Sequence, residues 1–127
     1  MRFSEKDKQT REKAFHLLEV ALNKKAFNPV ILDVRGVSLL CDYFLLCSGE
    51  SERQVKALHE EVINQSKKEH IAIHHTESDT SYHWILIDFY DVVVHIFLDE
   101  VRKFYDIEHL WREGKKIRLP KKNFLKK

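Results

Sequence analysis

Two runs of strand-forming residues, WILID (84–88) and VVVHIF (92–97), stand three residues apart, joined by FYD. So short a join leaves room only for an antiparallel hairpin, and whatever this chain folds into has to contain it. Side chains alternate across a strand. Val92, Val94 and Ile96 therefore share a face with Ile85 and Ile87, an all-aliphatic set suited to lie beneath helices. The opposite face collects Trp84, Leu86, Asp88, Val93, His95 and Phe97. It is apolar enough to bind something and polar enough to meet water, which describes an interface better than a core.

The flanking segments supply the helices. Ala14, Leu17, Leu18 and Ala21 recur at helical spacing, predicting a helix over 8–25 that NKKAFNP ends, with Pro29 biasing Asn28 away from helical angles. Ser51 followed by Gln54 is a capping-box pattern, and Val55, Leu58, Val62 and Ile63 carry the stripe of a second helix to about Lys68. Strands are expected at 30–34, 42–49 and 71–76 besides the hairpin, with a short helix inside 99–111. ESDTSYH reads as a polar loop. The order α-β-β-α-β-β-β-α fits an α/β fold: one domain with a mixed five-stranded sheet and helices mainly on one face.

At 127 residues, 43% of them hydrophobic, one domain with a real core is the expected organisation. Two cysteines do not make a disulfide framework, and no apolar run approaches the roughly 20 residues of a membrane span. The N-terminus lacks the apolar stretch of a signal peptide, so a cytoplasmic protein with no membrane partner is expected. Its net charge of +2 hides an asymmetry: residues 112–127 hold eight Lys/Arg against Glu113, whereas residues 1–111 carry a balance of −5. The expected division is a folded domain over 1–111 and a basic tail over 112–127. Lys115, Lys116, Arg118, Lys121 and Lys122 are candidate contacts to RNA phosphates, against the plainer reading of a solubilising end.

His95 interrupts an apolar strand, and three roles compete for it: a structural ring bonded to a carboxylate such as Asp88, a recognition residue, or a metal ligand or general base. Eight histidines are a generous count, yet none falls at a recognised zinc spacing. His74 and His75, as neighbours on a strand, point oppositely; His70 and His74 could share a face, but solvated surface residues are the expectation for all three. Neither GxxxxGK[ST] nor GxGxxG occurs, Cys47 has no activating base nearby, and Asp88 and Asp91 suit a turn. No cofactor and no catalytic group are expected; the alternative is a divergent metal-dependent nucleotidyltransferase or hydrolase using Asp88, Asp91 and His95.

DVRG, DYF, SERQV, WILID, DVVVHIF and FYDIEHLW follow one another from about Val30 to Trp111. In that order and spacing they closely resemble the ribosomal silencing factor family, also called RsfS or Iojap. The resemblance implies a nucleotidyltransferase-like fold without transfer chemistry. It also implies docking on the large ribosomal subunit through ribosomal protein uL-fourteen, where the bulk of the domain blocks joining of the small subunit and represses translation. A homodimer is a further expectation. On this view the partner-binding set is Trp84, Asp88, Asp91, His95, Phe97, Glu100, Arg102 and Tyr105: aromatic anchors inside a charged rim, with Trp111 extending the aromatic content. Two positions depart from the family pattern. Tyr90 stands where a glycine is usual in the hairpin turn, and KKEHI lacks a capping glycine after the second helix.

Overall fold

The computed structural model describes residues 5–36, 38, 41–106 and 115–117, apart from the side chain of Tyr105. Along the chain run α1 (Glu5–Asn23), β1 (Phe27–Asp33), β2 (Tyr43–Gly49), α2 (Glu52–Lys68), β3 (His75–Ser78), β4 (Trp84–Asp88), β5 (Val92–Leu98), α3 (Asp99–Tyr105) and β6 (Lys115–Lys116). The strands form one mixed sheet in the order β3-β4-β5-β2-β1-β6. β2 and β5 run parallel at its centre, and every other pair is antiparallel. Among the described residues, no helix is long and apolar enough to cross a membrane.

The predicted hairpin is present, with Trp84 opposite Phe97 and Asp88 opposite Val93. α1 and α2 cover the aliphatic face. Leu17 and Leu18 of α1 and Leu58 and Val62 of α2 bury against Ile85, Ile87, Val94 and Ile96. Each such side chain contributes roughly 1.5–3 kcal/mol by leaving water. Ser51 caps α2 as its spacing implies, its hydroxyl accepting from the Gln54 N–H, while the Gln54 side-chain oxygen accepts from the Glu50 N–H.

Both long helices end in a Schellman motif without glycine. Lys25 (φ 79) and His70 (φ 61) take the left-handed position. In α2 the Ile71 N–H then donates to the Ser66 carbonyl and the His70 N–H to that of Lys67. The cap that KKEHI seemed to lack is therefore closed by a histidine. Tyr90 likewise takes a positive φ of 78, and the Asp91 N–H donates to the Phe89 carbonyl across it, a γ-turn. The Asp88 carboxylate accepts from the Tyr90 N–H and helps hold the turn.

Three expectations are corrected. The sheet has six strands, not five, because Lys115 and Lys116 pair with Asp33 and Leu32 along β1. Two exposed residues carry no hydrophobic pattern that would announce a strand. The strand expected at 71–76 begins only at His75 and runs to Ser78, two residues into the supposed loop; all four residues are exposed, so neither face shows alternation. β1 starts at Phe27 and runs through Pro29 by way of a bulge, with Asn28 at φ 53.

Candidate functional site

On the side of the sheet away from α1 and α2, the register lays out rows of neighbours. Trp84, Phe97 and Ser48 form one row; Leu86, His95 and Leu46 form the next; Asp88, Val93 and Phe44 form the third. The rings of Trp84, His95 and Phe97 lie nearly parallel, with centroids 5.9–6.0 Å apart, and Phe44 meets His95 edge-on at 5.2 Å. Such arrangements contribute roughly 0.5–1.5 kcal/mol per pair beyond area burial. β5 is an interior strand, so His95 and Phe97 are covered by their neighbours and are only 7% and 2% exposed, while Trp84 on β4 is 44% exposed.

The histidine at the centre of this ladder is uncharged. Burial lowers its pKa to about 4. The Trp84 indole N–H donates to its Nδ1 at 3.2 Å, so the proton of the neutral ring sits on Nε2, which has no partner among the described residues. His95 is thus a structural ring, but its partner is Trp84 and not Asp88, whose carboxylate serves the Tyr90 N–H and lies 3.7 Å from His75. The mode of action open to it is to orient the tryptophan that remains exposed.

The predicted rim is only partly assembled. Asp88 stays on the open face, half-buried, and Glu100 is exposed on α3. Asp91 points to the other side, accepting from Thr10 and pairing with Lys13 of α1. Burial alone would raise its pKa, but the Lys13 and Thr10 hydrogen bonds prevail and hold it below the ordinary value. Arg102 is buried and donates to the Asn28 carbonyl (2.6 Å) and the Ser48 hydroxyl (3.0 Å), pinning α3 to β1 and β2. Both charges hold the fold together; neither belongs to a rim. Tyr105 ends α3 with its side chain outside the described residues, and Trp111, Arg118, Lys121 and Lys122 lie outside them altogether. Lys115 and Lys116 are exposed on β6, two strands beyond β2 and far along the sheet from Trp84.

The missing part of the rim comes from the segment read as a loop. Glu77 is opposite Leu86 across the β3–β4 pair, and Asp79 follows, accepting from the His83 and Trp84 N–H groups. With Ser78 they line a groove of about 250 Å³ against Trp84 and Leu86. The site is an exposed indole on a rigid aromatic ladder, beside an acidic groove. The trio Asp88, Asp91 and His95 does not converge: one carboxylate faces β3, the other faces α1, and the imidazole is buried. The thiols are inert, since burial pushes Cys41 up to about 11 and Cys47 to about 12.

The family model for the ribosomal silencing factor during starvation, RsfS, matches residues 7–127. The ribosomal silencing factor RsfS of Halalkalibacterium halodurans is 39% identical over 107 residues, covering 81% of this chain and 92% of that protein. The one from Bacillus subtilis is 39% identical over 92 residues, covering 72% of this chain and 78% of its own length. A crystal structure from Bacillus halodurans matches with a TM-score of 0.76 at 36% identity, covering 86% of this chain and 99% of that one. With its motifs, its sheet and nearly its whole length in agreement, this chain belongs to the ribosomal silencing factor family.

Proposed function

We propose that the protein binds the large ribosomal subunit through ribosomal protein uL-fourteen and represses translation by occupying the space the small subunit needs. The observation that carries this reading is the exposure of Trp84 on an otherwise closed aromatic ladder, next to the groove of Glu77 and Asp79. An aromatic anchor on a rigid base binds with little loss of side-chain freedom. The acidic groove suits a basic ribosomal protein and speeds encounter with it. No bond is made or broken in this account, so the likeness to nucleotidyltransferases that the family implies is one of shape.

The test is co-sedimentation with isolated subunits. The protein travels with large subunits and inhibits their pairing with small ones, and Trp84→Ala weakens both effects while the protein stays folded. Equal binding to both subunits with no effect on pairing overturns the reading. The basic end adds a separate contact to ribosomal RNA in this proposal. Replacing Lys115 and Lys116 by Gln then flattens the salt dependence of binding, by about 0.7–0.9 in log–log slope per lost phosphate contact; an unchanged slope removes RNA from the account.

A further inference from the structure

His74, His75 and Asp88 each offer a ligand atom, and these atoms lie within 4.8 Å of one another. Neighbouring residues on a strand would diverge, but β3 begins only at His75 and His74 belongs to irregular chain, so the two rings meet edge to face at 5.3 Å. Each donor is already held in place. The His74 N–H donates to the Asp88 carbonyl at 2.7 Å, and its ring lies against Tyr90 at 4.9 Å. His75 and Asp88 are directly opposed across the β3–β4 pair. Asp88 Oδ1 accepts from the Tyr90 N–H at 2.7 Å, which turns Oδ2 toward His75 Nδ1, 3.7 Å away. On the far edge of the same ring, His75 Nε2 meets the Glu77 carboxylate at 3.0 Å.

That last contact separates a ligand set from a chance histidine–carboxylate pair. A metal-binding imidazole characteristically donates its other ring N–H to a carboxylate, which fixes the tautomer and strengthens the ligating nitrogen. With Nε2–H donating to Glu77, the lone pair of His75 is on Nδ1, facing Asp88. Tetrahedral zinc, with bonds of about 2.0–2.2 Å, holds its donors roughly 3.3–3.5 Å apart. The donor atoms, within 4.8 Å of one another, stand wider than that, and both histidines are exposed, so an entering cation draws the three side chains together. We infer that His74, His75 and Asp88 form a site for a zinc-class divalent cation, oriented by Glu77 and completed by water. Two nitrogens and one carboxylate oxygen suit borderline metals better than magnesium or calcium, which favour all-oxygen shells. The cation bridges β3 to the end of β4 and so staples an edge strand whose residues are all exposed.

Calorimetric titration with zinc, and visible spectroscopy with cobalt(II) as its probe, test the site on the full chain. One equivalent binds saturably, cobalt gives the absorption of a nitrogen–oxygen site without a thiolate charge-transfer band, and zinc raises the thermal midpoint. His75→Ala and Asp88→Asn abolish saturable binding; asparagine keeps the oxygen that accepts from Tyr90, so the turn survives. Glu77→Ala, which removes only the orienting carboxylate, weakens binding about 10–100-fold. No saturable binding by the unaltered protein, or binding that survives both ligand substitutions, overturns the site. A protein that docks on large subunits but takes up no zinc overturns this inference alone.

Discussion

The face of the sheet under α1 and α2 and the face that carries Trp84 are made by alternate residues of the same strands, yet their chemistry differs. Beneath the helices, β4 and β5 present only Ile85, Ile87, Val92, Val94 and Ile96, all at 0–1% exposure. On the other side the same strands present Trp84, Leu86, Asp88, Val93, His95 and Phe97, and Arg102 and Ser48 are buried nearby. The first face is a core whose strength comes from area and fit. The second gives up some of that strength, keeping a buried neutral imidazole and leaving an indole half in water. A face optimised only for stability would not retain these groups. The helix-covered side is buried throughout, whereas the other side holds a smaller buried cluster around Leu46, Val93 and Phe97 and leaves Trp84 exposed beside it.

Substitutions on the two sides are expected to act on different quantities. Leu58→Ala, beneath the helices, lowers unfolding free energy by about 2–5 kcal/mol in denaturant titration without altering the chemistry of the Trp84 face. A much smaller loss means that the helix layer packs loosely and the contrast fails. The next largest effect is one of pH. His95 titrates near 4 in the fold and near the ordinary value of about 6.5 when unfolded, so on acidification the unfolded chain takes up its proton first. Stability from this group is complete above about pH 6.5 and is lost as pH falls toward 4, by about 3 kcal/mol in all. His59, also lowered by burial, adds a contribution of the same sign. Urea unfolding of His95→Leu across that range shows a flatter profile; an unaltered slope means the ring is not the buried neutral group described.

Trp84→Ala costs less than a buried tryptophan would, about 1–2 kcal/mol, because 44% of the residue already meets water and the lost contacts are its stacks on His95 and Phe97. A loss of 3 kcal/mol or more, roughly the value for a fully buried ring, would move Trp84 to the folding side. The smallest effect is a gain: Tyr90→Gly relieves the positive φ of 78 and raises stability by about 1 kcal/mol in thermal unfolding, less what the ring contributes against His74.

Much of this was legible in short windows of sequence. The hairpin, its two-faced parity, the Ser51 cap and both amphipathic helices follow from spacing alone, because alternation and the helical repeat are properties of neighbouring residues. The site was legible as a set but not as a surface. Phe97 and His95 stand on the predicted face and are nonetheless covered, since β2 lies beside β5 although more than forty residues separate them in sequence. Asp91 and Arg102 look like any surface charge until α1 and β1 are brought against them. Glu77 and Asp79 left no signal because an edge strand open on both sides has no hydrophobic period.

Local order along the chain therefore decided which residues share a face, and it did so through geometry that needs no distant partner. Which of those faces stays open, which charges become internal ties, and where His74, His75 and Asp88 meet were decided by the pairing of distant strands and the packing of α1 against the turn. Burial and convergence are sums over contacts from the whole fold, and no window of neighbouring residues contains them.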